Sequence, residues 1–169
     1  ILALPVSAQV TVEVVLDQDQ FLQGESLTAG ARIVNHSGQT LQLGAEEGWV
    51  TFAIESRDGF IVLKSGDPIV AGEFTLESSH RATKRVDLTP YFSFSRPGRY
   101  SIRATVTIKQ WDKTITSPPK NFDIIEGARL WEREIGVPRT AGATNQSPEV
   151  RKYALQQANY LKQLMLYFQ

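Results

Sequence analysis

Arg96–Trp111 reads RPGRYSIRATVTIKQW, and its alternation decides the fold class. Tyr100, Ile102, Ala104, Val106 and Ile108 fall on one face, while Ser101, Arg103, Thr105, Thr107 and Lys109 fall on the other. Side chains that alternate with a period of two belong to a β-strand with one buried and one wet face, because a helical period would scatter the same residues around its axis. Pro97-Gly98 supplies the turn that lets the strand begin. The chain is therefore expected to be mainly β.

Working outward, the next strand carries Ile115, Pro118-Pro119, Phe122, Ile124 and Ile125. Two prolines cannot donate to a ladder, so this strand is expected to be interrupted, bulged or at an edge. Upstream, Trp49–Glu55 alternates in the same way, and Asp58-Gly59 predicts a hairpin into Phe60–Leu63. Val10–Leu16 is β-branched and reads as the first strand. Leu27, Ala29, Ala31 and Ile33 share a face of a second long one, which opens after the Gln23-Gly24-Glu25 turn. Asn35–Thr40 reads as a tight reversal leading into Leu41 and Leu43; Glu73–Leu76 and the Lys/Arg-rich Arg81–Leu88 read as further short strands. Residues 9–126 thus predict about seven to nine strands in an antiparallel β-sandwich.

After Gly127 the period disappears. Residues 127–147 contain prolines and glycines and read as a linker. Ser147 suits a cap and Pro148 a first helical position, and Val150, Tyr153, Ala154, Ala158 and Leu161 lie on a helical stripe. Residues 148–169 are therefore expected to form a C-terminal helix or the start of a second module, and YLKQLMLYFQ can either continue the helical stripe through Leu164 and Phe168 or break into an alternating strand. Leu161, Leu164 and Phe168, with Met165 and Leu166, give that segment more apolar surface than a solvated tail exposes. It is expected to meet a protein partner, a second domain or another copy of the chain.

At the other end, ILALPVSAQ reads as the tail of an export signal over residues 1–8: an apolar end, a helix-breaking Pro5, and small residues Val6 and Ala8 before Gln9. The expected location is secreted, periplasmic or at the cell surface. No stretch approaches the ~20 apolar residues of a transmembrane helix, and no transmembrane segment is expected. With 18 basic and 18 acidic residues the net charge is zero, so nucleic acid is not an expected partner. The absence of cysteine excludes thiol catalysis, disulfides and thiolate metal sites.

The remaining chemistry is sparse. His36 and His80 are the only imidazoles, and neither lies near a Gly-x-Ser-x-Gly elbow. His36, His80, Asp58, Glu46 and Glu47 show no metal-ligand spacing, and Asp17 and Asp19 lack the further oxygens a calcium loop needs. Asn35-His36-Ser37 and Asn145-Gln146-Ser147 match a glycosylation pattern but suit a turn and a helix cap. No phosphate loop or dinucleotide fingerprint follows a strand. No catalytic residue, cofactor or metal is expected, and the chain is read as a non-enzyme.

The run FLQGESLTAGARIVNHSGQTLQLG…WVTFAIESRDG…RPGRYSIRATVTI resembles the immunoglobulin-like modules of exported bacterial proteins. In phrase order it is similar to macroglobulin-type domains and to the BsuPI-like proteinase-inhibitor domain: a Gly-Glu turn, a strand ending in Val-Asn, an aromatic strand ending in Asp-Gly, and a late Pro-Gly-x-Tyr strand. The likeness covers residues 10–126. It implies an immunoglobulin-like sandwich with adhesive, binding or inhibitory roles and no catalytic residues, and the cysteine pair of antibody-type domains is missing. The expected function is a non-catalytic extracytoplasmic binding or scaffolding module. One alternative is a proteinase inhibitor that presents Gly66–Glu73, where Pro68, Ile69 and Val70 are the expected contact residues. Another is a carbohydrate-binding appendage, which needs exposed aromatics such as Trp49 or Trp111.

Overall fold

A computed structural model describes residues 9–94, 96–137, 149–157 and 164–168, as backbone from residue 129 onward. Residues 1–8, read above as an export-signal tail, lie outside the described residues. The chain divides into two compact units, Ile1–Ile124 and Ile125–Gln169.

In the first unit the strands are β1 (Val10–Leu16), β2 (Gln20–Leu22), β3 (Thr28–Asn35), β4 (Leu41–Leu43), β5 (Val50–Ser56), β6 (Phe74–Leu76), β7 (Arg81–Asp87), β8 (Gly98–Ile108), β9 (Lys113–Thr116) and β10 (Lys120–Ile125). They form a sheet of order β1-β3-β7, a sheet of order β2-β10-β8-β5 with β9 also on β8, and a small β4-β6 pair. The β1–β3, β3–β7, β5–β8, β8–β9, β8–β10 and β4–β6 pairings are all antiparallel. Alternation in β8 is as the sequence reads: Tyr100, Ile102, Ala104, Val106 and Ile108 are buried and Arg103 is exposed. Ala29, Ala31 and Ile33 of β3 join them, with Val10, Phe52 and Phe122, in one core cluster.

The Pro118-Pro119 interruption is real and has its own repair. β9 and β10 both pair with β8, either side of Ser117-Pro118-Pro119. Buried Ser117 keeps the ladder going: its N–H donates to the Ala104 carbonyl at 2.8 Å, and its hydroxyl accepts from the Ala104 N–H at 3.0 Å. The same hydroxyl donates to the Pro118 carbonyl at 2.9 Å. Ser117→Ala leaves the Ala104 N–H without a partner inside the protein, so it is expected to cost about 1–3 kcal/mol. A shift in the urea midpoint smaller than ~0.5 kcal/mol would contradict that role.

Three expectations need correction. The Asp58-Gly59 turn forms, with Gly59 at φ 85°, but Phe60–Leu63 is not a strand of a β5 hairpin. β5 pairs instead with β8, whose Arg99 N–H donates to the Asp58 carboxylate at 2.8 Å. Asn35–Thr40 does not join two paired strands either, since β3 pairs with β1 and β7 while β4 pairs with β6. It is a crossing between sheets, fixed by buried Asn35.

The third correction concerns the second unit. The linker over 127–147 and the helix over 148–169 are replaced, within the described residues, by β11 (Ala128–Val137), β12 (Glu149–Gln157) and β13 (Leu164–Phe168), antiparallel in the order β11-β12-β13. Tyr153, assigned to a helical stripe, sits in register with Arg133 on one side and Phe168 on the other. Pairing to two neighbours outweighs the local helix preference of Ala, Leu and Gln, a term of tenths of a kcal/mol per residue. Among the described residues no helix is long and apolar enough to cross a membrane.

Candidate functional site

The most unusual surface of the first unit is the connection from β5 to β6, residues 57–73. Its geometry starts from anchors. Lys64 donates from Nζ to the Phe52 carbonyl of β5 at 3.2 Å and pairs with Asp67 at 2.5 Å. Leu63 accepts from the Ser93 N–H at 3.0 Å, and the Ser65 N–H donates to Tyr91 at 2.9 Å. Trp49 Nε1 donates to the Val70 carbonyl at 2.7 Å, which ties the far end of the loop to the start of β5. Phe60 lies half-buried beneath the Arg96 guanidinium, 5.3 Å from its ring centroid.

Between those anchors three large apolar side chains stand in solvent. Ile61 is 86% exposed, Leu63 68% and Ile69 68%. Phe60 and Val62 alternate inward of Ile61 and Leu63, so the extended segment has one packed and one wet apolar face. It borders two clefts, one of about 350 Å³ lined by Phe60, Val62, Arg96 and Tyr100, and one of about 530 Å³ lined by Leu63, Thr89, Pro90 and Phe92. In the first cleft, burial and the nearby Asp58 carboxylate raise the Tyr100 hydroxyl above its usual 10.0, opposed by Arg96; the hydroxyl donates to the Arg96 carbonyl at 2.6 Å.

The residues expected to make contacts fall in different places. Ile69 is at the surface, Val70 is half-buried with its carbonyl held by Trp49, and Pro68 is buried. Leu164 and Phe168 lie on β13, and Leu161 lies outside the described residues. Ile61 and Leu63 were missed in the sequence because FIVL carries no polar residue and so reads as a buried strand. Its outer face is apolar as well, and no sequence period reveals that.

The candidate chemical groups are scattered. His36 and His80 are exposed, and His80 Nδ1 lies 3.1 Å from the Ser78 carbonyl. Asp17 pairs with Arg85 at 2.5 Å, Asp19 with Lys120 at 3.1 Å, and Glu46 with Lys109. Among the described residues no three His, Asp or Glu side chains are placed to hold a metal ion. Asn35, of the Asn-His-Ser triplet, is buried with its amide donating to Gln39 and Leu76. Trp49 is 4% exposed and Trp111 half-buried.

No family model matches the chain, and no curated protein matches it. Among solved structures it is similar to a family 123 glycoside hydrolase from Clostridium perfringens that hydrolyses glycolipid glycans, at 11% identity and a TM-score of 0.39. That likeness covers 69% of this chain and 27% of the hydrolase, so the chain corresponds to little more than a quarter of that protein's length.

Proposed function

We propose that the chain is a non-catalytic, extracytoplasmic binding or scaffolding module, an immunoglobulin-like sandwich that works through protein–protein contacts at the loop between β5 and β6. The observation that carries this reading is the gathering of Ile61, Leu63 and Ile69 into one loop held by Lys64, Ser65 and Trp49. Isolated surface apolar residues are ordinary, but several exposed ones on a single anchored loop mark a surface where contact energy can concentrate. Extracytoplasmic placement is supported by the ILALPVSAQ pattern.

Ile61→Asp with Leu63→Asp is the test. Because both side chains are exposed, stability is expected to change by less than about 0.5 kcal/mol per site. Proteins retained quantitatively on the immobilised wild-type chain are expected to be lost with the double variant, with affinity weakened by more than ~2 kcal/mol, roughly thirtyfold. Equal retention by both chains rejects this surface as the contact site.

A second reading, proteinase inhibition, is favoured by Ile69, which projects between buried Pro68 and the tethered Val70. An inhibitory loop needs such an exposed residue on a stiff backbone. Inhibition of at least one enzyme in a protease panel at micromolar protein, abolished by Ile69→Asp, is the expected result; a blank panel removes the reading. The carbohydrate-binding alternative is left with Trp111, since Trp49 is in the core.

A further inference from the structure

We infer that the cleft beside Phe60 anchors an acidic side chain, Asp or Glu, of an extended segment of a partner protein, with Arg96 binding the carboxylate and Ile61 and Leu63 meeting the aliphatic residues next to it. This deepens the loop reading above and rests on it. Arg96 is exposed, its guanidinium lies over the Phe60 ring, and it makes no ion pair with any described residue. Stacking engages only the flat face of the group, so the N–H donors in its plane stay free, in the fork that matches a carboxylate. That fork is held in place. Phe60 packs on Gly98, where a Cβ would come within 3.2 Å of Phe60 Cε2, and the Arg96 carbonyl accepts from the Tyr100 hydroxyl at 2.6 Å. A group already fixed at both ends loses little freedom when its partner arrives.

Two other clefts of the first unit show what is missing here. In the cleft of about 530 Å³ the cation is Lys64, which Asp67 neutralises at 2.5 Å. In a further cleft of about 410 Å³ it is Lys120, which Asp19 neutralises at 3.1 Å. In the cleft of about 350 Å³ it is Arg96, and no carboxylate of this chain answers it. The nearby Asp58 carboxylate accepts from the Arg99 backbone N–H instead. Arg57, Arg81, Lys84, Arg103 and Lys113 also lack ion pairs among the described residues, but none of them lines one of these clefts. Arg96 is therefore the cleft cation whose counter-ion has to come from outside.

The apolar neighbours select an extended protein segment rather than a free small acid. Ile61 lines the same cleft as Arg96, while Leu63, two residues on, lines the cleft of Lys64. Both side chains stand in solvent, so the apolar strip runs past the first cleft into the second. Residues two apart in an extended chain are spaced by ~6.7 Å, and a partner segment in the same conformation places alternate side chains at the same interval. Charge fixes its direction. The carboxylate belongs at the Ile61 end, beside Arg96, because at the Leu63 end Lys64 already has Asp67. The partner segment thus carries an acidic residue next to the aliphatic one that meets Ile61, and a second aliphatic residue over Leu63.

A phage-displayed library of random linear peptides, selected on the immobilised full chain at low salt, is the probe. Enriched peptides are expected to carry Asp or Glu beside aliphatic residues. As synthetic peptides they are expected to bind Arg96→Met at least about tenfold more weakly than the wild-type chain, with Arg96→Lys in between because it keeps the charge and loses the fork. Exchanging the peptide's acid for its amide is expected to weaken binding to the wild-type chain by a similar factor and to change nothing on Arg96→Met. Should Arg96→Met fail to fold, seen by circular dichroism, the acid-to-amide exchange on the wild-type chain decides. Peptides that need Ile61 and Leu63 but bind equally well without their acid, or equally well to Arg96→Met, overturn this inference and leave the loop reading standing. A selection that yields no peptide sensitive to Ile61→Asp with Leu63→Asp overturns both.

Discussion

Phe122→Ala is expected to destabilise the first unit by about 3–5 kcal/mol, the range for emptying an aromatic site that cannot collapse. Phe122 is 2% exposed on β10 and sits among three other rings. Tyr100 stacks on it at 5.6 Å, while Phe21 and Phe94 meet it edge-on at 5.9 and 6.2 Å. Those neighbours come from β2, β8 and the segment before β8, and the two strands are fixed by their ladders. The hole is therefore expected to persist rather than fill. Total stabilities of single domains run ~5–15 kcal/mol, so one truncation removes a large share. The check is urea unfolding followed by tryptophan fluorescence: the midpoint is expected to fall with m unchanged, and a loss under ~1.5 kcal/mol would show that the rings repack.

Asn35→Ala is expected to cost about 2–3 kcal/mol, more than a surface turn residue, whose substitution stays within ~0.5 kcal/mol. Asn35 is fully buried, and its amide donates to Gln39 at 2.7 Å and to Leu76 at 2.9 Å. Its side-chain oxygen accepts from the Ser37 N–H at 3.0 Å and the Ser37 hydroxyl at 2.7 Å. Alanine removes all four bonds at once and strands the Leu76 carbonyl within the protein. Asn35→Asp keeps the acceptor towards Ser37 but turns an oxygen on the two carbonyls, and it is expected to be no better than alanine. Thermal unfolding of both variants checks this, and tolerance of alanine would mean that water replaces the amide.

The strands of the first unit were legible where one side of the chain is wet. In β8 and in β3 the polar residues mark the solvent side, and buried Ala29, Ala31 and Ile33 follow directly from the period. The Pro118-Pro119 break was legible because proline cannot donate in any fold, although its repair by Ser117 was not. Of the three exposed apolar side chains in the loop between β5 and β6, only Ile69 was singled out from the sequence. Ile61 and Leu63 belong to an all-apolar tetrapeptide, and hydrophobicity with no polar contrast does not say which side faces the core.

By itself, then, the sequence determined the β class of the first unit, the alternation of its long strands, its turns and the absence of thiol chemistry, all of which depend on neighbours a few residues apart. Tertiary structure decided which strands pair. The Asp58-Gly59 turn did not produce a β5 hairpin, β5 pairing instead with the distant β8, and Asn35 became a sheet crossing because β4 pairs with β6. Residues 149–157 became a strand between two others despite a helical stripe. Each outcome depends on hydrogen-bond partners far away in the chain, and local propensities of tenths of a kcal/mol cannot outweigh a continuous ladder that satisfies the whole backbone.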